Sequence, residues 1–87
     1  MPRVFIPPPL RDLTGGQEIV TVAGSRVREV IDALEALHPG IRQRLCDGDM
    51  LRPGLTVVVG TEVGRLGLRE PVPADGEVHF LPAIGGG

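Results

Sequence analysis

The 87-residue sequence contains no lysine, no tryptophan and no tyrosine, and a single cysteine. All nine basic residues are arginine, so no side-chain amine is offered for acylation or isopeptide formation. With aromatics at 2%, the core must be built from Val, Leu, Ile and Ala, and no stacking platform for single-stranded nucleic acid exists. The net charge of −2, with its signs interspersed, supplies no basic stripe for a phosphate backbone, so nucleic acid is not an expected partner. Cys46 alone excludes an intramolecular disulfide framework. With only His38 and His79 beside it, Cys46 cannot complete a structural zinc site either, and no metal or bound cofactor is expected. A reducing cytoplasm is the expected compartment. The opening "MPRVFIPPPL" reaches proline after a short apolar run, which is no signal-peptide hydrophobic region, and no segment approaches membrane-spanning length.

What is present is ordinary for one globular domain: 41% hydrophobic and 23% charged residues. A chain of this length buries roughly 60–65% of its unfolded surface. That is enough for one core and too little for a deep active site.

"RVFI", Arg3 to Ile6, is a β-prone run stopped by Pro7, Pro8 and Pro9, which cannot donate to a sheet ladder. "LRDLTGG" then forms a loop with a helical turn, and Gly15-Gly16 return the chain into a second strand, Gln17 to Val22. From Ser25 the period changes. Val27, Val30, Ile31, Leu34 and Leu37 recur at helical spacing, with Ser25 as N-cap, an Arg28–Asp32 pair one turn apart, and Pro39-Gly40 as the stop. "IRQRLC" allows one further helical turn, with Cys46 in the loop beyond it. "LTVVV", Leu55 to Val59, is apolar enough to lie inside a sheet, followed by a short edge strand around Arg65 to Leu68. Asp75-Gly76 signal a tight turn into a last strand, Glu77 to Leu81, ended by Pro82. The order predicts an α+β fold: a mixed four- to five-stranded sheet with one main helix packed on one face, the element order of the β-grasp, or ubiquitin-like, fold. Residues 1–84 are expected to form that domain, and 85–87 a flexible glycine tail.

Catalytic groups are sparse. His38 precedes the helix stop, His79 lies in a strand without an evident nucleophile, and Cys46 lacks the second cysteine of a redox motif. "TGGQ" has no Lys-Ser/Thr ending of a phosphate loop, and Asp47, Asp49 and Glu62 do not space as a calcium loop. No internal residue is a strong candidate for a reaction centre, which leaves the chain end, "HFLPAIGGG". The Gly87 carboxylate, with an ordinary pKa of about 3.5, is ionised at neutral pH and reacts only if activated. Glycines without Cβ let the backbone of such a tail enter another enzyme's cleft.

"ADGEVHFLPAIGGG", Ala74 to Gly87, resembles the C-terminal signature of the MoaD/ThiS sulfur-carrier family: an Asp-Gly turn, a strand, a proline-containing exit and a terminal Gly-Gly. "IPPPLRDLTGGQ", Ile6 to Gln17, resembles the first-strand exit and loop of the same family, particularly of its CysO-like branch. The resemblance implies a β-grasp carrier without catalytic activity of its own. A ubiquitin-activating-like adenylating enzyme of the MoeB/ThiF type would use ATP to adenylate Gly87. A sulfur donor such as a rhodanese or cysteine desulfurase would convert it to a thiocarboxylate, and an acceptor biosynthetic enzyme would take the sulfide. By position, Gly86 and Gly87 match the terminal pair, and Gly85 takes the place of another small residue. Pro7 and Leu81 match the apolar patch that docks on the activating enzyme, with Phe5, Phe80 and Pro82 around them. Phe5 points away from the helix if Val4 and Ile6 point inward.

Three functions remain open on sequence: a sulfur carrier for a cofactor, cysteine, thionucleoside or natural product; a ubiquitin-like modifier joined through Gly87 to lysines of other proteins; and an interaction module whose tail is incidental. Truncating Gly86-Gly87 abolishes the first two and spares the third.

Overall fold

The computed structural model describes residues 1–82; the expected tail, 85–87, and the two residues before it lie outside the described residues. Five strands form one sheet: β1 (Arg3–Phe5), β2 (Ile19–Thr21), β5 (Leu55–Val59), β6 (Glu62–Val63) and β7 (Glu77–Pro82), ordered β2-β1-β7-β5-β6. Only β1 and β7 run parallel. Helix α1 (Val27–Leu37) covers one face, and α2 (Ile41–Leu45) leads into a two-stranded hairpin of β3 (Cys46–Asp47) and β4 (Met50–Leu51). This is the mixed sheet with one main helix that the element order predicts.

The core follows from two periods. On α1, Val27, Val30, Ile31 and Leu34 are fully buried. They meet Val4, Val20, Val57, Val78 and Phe80, the alternate residues of the strands, each aliphatic contributing about 1.5–3 kcal/mol by burial. Ile6, Leu10, Ile41, Leu45, Cys46, Leu68 and Val72 close the ends. Gly24, at φ +150°, runs so close over the first turn of α1 that a Cβ there would meet the Val30 nitrogen at 2.8 Å.

Several expectations are corrected. The N-cap is Arg26, not Ser25; the Glu29 carboxylate accepts the Ser25 N–H at 2.8 Å and its hydroxyl at 3.0 Å, which holds that carboxyl below its usual range. Glu29 thus supplies from inside the first turn the capping partner that the sequence, counted from Ser25, lacked. Asp32 pairs with Arg42 rather than Arg28, tying α1 to α2. Leu37 is 60% exposed, since at 100° per residue it sits about 70° off the buried stripe in the last turn. The edge strand is Glu62–Val63, its pairing with β5 continuing to the Gly64 N–H, which donates to the Val57 carbonyl at 2.8 Å, and Gly67–Arg69 is a 3-10 turn that Gly67 opens at φ +59°. β5 lies inside the sheet as expected, between β7 and β6, but it buries Val57 on one face only, and the central strand of the five is β7. Cys46 begins β3 instead of lying in a loop, and the β3–β4 hairpin, too short to show an alternation, was not foreseen.

Candidate functional site

β7 ends at Pro82, the last described residue before the terminal glycines. Its register places Thr56 opposite Leu81 and Leu55 opposite Pro82, so β5 accompanies it to the last described residue. On the other side β1 pairs only with Glu77 to His79, and then departs at Pro7. Pro82 therefore lies within the strand rather than after it. Its missing N–H costs nothing on the side that β1 has vacated.

The departure of β1 is fixed locally. Pro8 to Leu10 form a 3-10 turn with the Leu10 N–H donating to the Pro7 carbonyl at 2.9 Å, and the Arg11 Nε donates to the Ile6 carbonyl at 3.1 Å. Thr14, 1% exposed, donates its hydroxyl to the Gln17 carbonyl at 2.8 Å. Prolines with preset φ and these bonds make the loop a rigid wall. Between this wall, the end of α2 and the end of β7 opens a groove of about 560 Å³. Ile6, Leu10, Leu45 and Phe80, all buried, form its floor; Pro7, Pro8, Leu81 and Pro82 form its apolar rim, with Arg11 and Arg44 beside them.

On the face that α1 does not cover, Phe5 stacks on His79 with ring centroids 4.2 Å apart and planes 15° from parallel. Phe5 does point away from the helix, as the burial of Val4 and Ile6 on either side requires. The register carries this pair into a row across all five strands: Ile19, Phe5, His79, Val58 and Val63. Beside it, Glu77 accepts from Arg3 at 2.7 Å and sits 3.5 Å from His79 Nε2. The half-exposed Arg3–Glu77 ion pair is worth about 0–1 kcal/mol.

Of the expected docking residues, the structure brings Phe5, Pro7, Leu81 and Pro82 to the surface around the β7 end. Phe80 departs from that expectation: it is 3% exposed, points into the core as strand alternation from Leu81 demands, and reaches the groove only as floor. Arg11, Arg44 and Leu55 were not singled out in the sequence; a lone arginine in a loop or on a short helix carries no periodic signal. Gly85, Gly86 and Gly87, the expected adenylation site and its lead, lie outside the described residues.

Elsewhere the chemistry is quiet. Burial raises the Cys46 thiol above its ordinary pKa, which keeps it protonated and un-nucleophilic at neutral pH. His38 ends α1, its N–H donating to the Leu34 carbonyl at 2.7 Å. Among the described residues no cluster of three His, Cys, Asp or Glu could hold a metal ion. None of their helices is long and apolar enough to cross a membrane.

A rigid β-grasp domain that presents an apolar rim at the root of a glycine tail has counterparts, and the ThiS family model matches residues 4–87. The chain belongs to the ThiS family. The sulfur carrier protein CysO of Mycobacterium tuberculosis is 37% identical over 89 residues, covering 97% of this chain and 96% of that one. Among solved structures, this ThiS-family chain is similar to the CysO of the Amycolatopsis orientalis BexX/CysO complex, with TM-score 0.90, 37% identity and full coverage of both chains. The small archaeal modifier protein 1 of Methanosarcina acetivorans shares the fold at TM-score 0.78 and 21% identity, covering 99% of this chain and 95% of that one.

Proposed function

We propose that this chain is a sulfur carrier protein, a protein cosubstrate rather than an enzyme. The observation that carries the reading is the end-to-end match: the family model extends through Gly87, and a curated sulfur carrier aligns with 97% of the chain. A carrier needs a stable handle, a docking surface and a terminal carboxylate that a partner can reach, and it needs no catalytic group of its own.

In this reading residues 1–84 are the handle and 85–87 the lead. A MoeB/ThiF-type adenylating enzyme draws Gly85, Gly86 and Gly87 into its cleft. There a Gly87 carboxylate oxygen attacks the α-phosphorus of ATP, pyrophosphate leaves, and an acyl-adenylate forms. The outer sulfur of a cysteine persulfide on a rhodanese or cysteine desulfurase then attacks the acyl carbon and AMP leaves, giving an acyl disulfide; a second thiol attacks the donor's cysteine sulfur in that bond, forming a disulfide with it and releasing the thiocarboxylate. Its sulfur is nucleophilic at neutral pH and passes to an acceptor biosynthetic enzyme. The supply of ATP and reduced sulfur suits the cytoplasm. Pro7, Phe5, Leu81 and Pro82 form the surface that meets the activating enzyme, with Phe80 supporting it from below. That a CysO occurs in a complex with BexX supports docking of such a carrier on a second protein.

The test is the intact mass of the protein isolated with its genomic neighbours. Replacement of one oxygen by sulfur is expected; its persistent absence with an active adenylating enzyme and a sulfur source sinks the reading. Isopeptide remnants of the tail on lysines of other proteins would establish the modifier instead.

A further inference from the structure

The charges around the groove at the β7 end are of one sign. Arg11 and Arg44 line it, and among the described residues no carboxylate does, in a protein whose net charge is −2. The other surface depressions differ: the one beside α2 mixes Glu35 and Asp47 with Arg42 and Arg52, and the one beside the β3–β4 hairpin sets Asp49 among its arginines. Arg11 is already engaged, through the Ile6 carbonyl and at 4.0 Å from Glu18. Arg44, exposed in the last turn of α2, has no ion-pair partner among the described residues. Its charge stands beside an apolar floor where a docked surface would exclude water and strengthen any pairing.

We infer that this groove recognises a segment of the activating enzyme in which an apolar side chain is flanked by carboxylates, the apolar group filling the space over Leu10, Leu45 and Phe80 and a carboxylate pairing with Arg44. The inference rests on the carrier reading and names the chemistry of its first partner. An apolar anchor gives affinity, and the charge pair gives orientation and a faster encounter. The groove lies at the end of β7, five residues before Gly87 in the chain. Docking through it does not require the tail.

The test measures ATP–pyrophosphate exchange by the host's MoeB/ThiF-type enzyme as a function of carrier concentration. Arg44→Glu is expected to raise the carrier's KM about tenfold at low salt, with kcat nearly unchanged and the difference shrinking as ionic strength screens the pair. Gln43→Glu, at an exposed neighbour outside the groove, is expected to leave KM as it was. A chain lacking Gly86-Gly87 is expected to inhibit competitively, and to lose that inhibition with Arg44→Glu. Wild-type KM for Arg44→Glu, or an equal effect of Gln43→Glu, overturns the docking inference while leaving the carrier reading intact. Absence of exchange with the wild-type chain removes the carrier reading itself and the inference with it. A concentration-dependent dimer in sedimentation that Arg44→Glu abolishes would assign the groove to a second copy and overturn the proposed occupant.

Discussion

The two faces of the sheet are made by the same strands and serve different ends. Under α1, Val4, Val57, Val78 and Phe80 are at most 3% exposed and packed among aliphatics. One residue further along each strand, Phe5, Val58, His79 and Leu81 face outward, half-buried or exposed, in register across the sheet. The covered face holds the domain together; the open face and the groove at its edge are the surfaces proposed to meet other molecules. A single-residue slip of β7 would exchange the two sets, so register itself assigns one residue to the core and the next to the open surface.

The sharpest test of that separation is to remove Gly86 and Gly87. Adenylation is expected to vanish, while Tm stays within about 1 °C, because a chain end contributes almost no packing; any large drop in Tm would show that the tail belongs to the fold. Phe80→Ala then probes the covered face. It is expected to cost about 3–5 kcal/mol in denaturant unfolding, a large share of the stability of so small a domain.

Its neighbour Leu81→Asp should invert the pattern: about 0.5 kcal/mol or less in stability, but a carrier KM raised about tenfold in pyrophosphate exchange. If Leu81→Asp destabilises as much as Phe80→Ala, the distinction between the faces fails. Within the open face, a double-mutant cycle of Phe5→Ala and His79→Ala is expected to give about 0.5–1.5 kcal/mol of coupling from the ring stack.

The smallest effect concerns the corner that holds α2, and with it Arg44 and Leu45, against the core. Glu35 accepts the backbone N–H groups of Arg42, at 2.9 Å, and Gly40, at 3.1 Å, which lowers its carboxyl from the usual range. A folded-state value below the unfolded one means stabilisation that is present above the unfolded value and lost as pH falls through the folded one. Glu35→Gln is therefore expected to lower Tm slightly at pH 7, with the gap closing in acid. Parallel Tm curves at all pH values would show that charge plays no part.

Much of this was legible before any coordinates. The helix could be read from Val27, Val30, Ile31 and Leu34, the last strand from "EVHFL", and the outward aim of Phe5 from period two alone. The misassignments fell where local rules compete. Ser25 is a good N-cap by type, yet the backbone starts its helix one residue later and uses Glu29 instead. Asp32 had Arg28 at the right spacing and took Arg42 from another helix.

What the sequence alone determined is what composition and period determine: a lysine-free, aliphatic-cored α+β domain ending in glycines, with the family written in its two ends. The groove was decided only by tertiary structure. Arg11 and Arg44 are 33 positions apart in the chain and meet the end of β7 because a parallel pairing joins residues 74 positions apart, Arg3 and Glu77. Local propensity is felt over a few residues, whereas the place where a parallel partner turns away, and the surface it thereby opens, depends on contacts that only the folded chain makes.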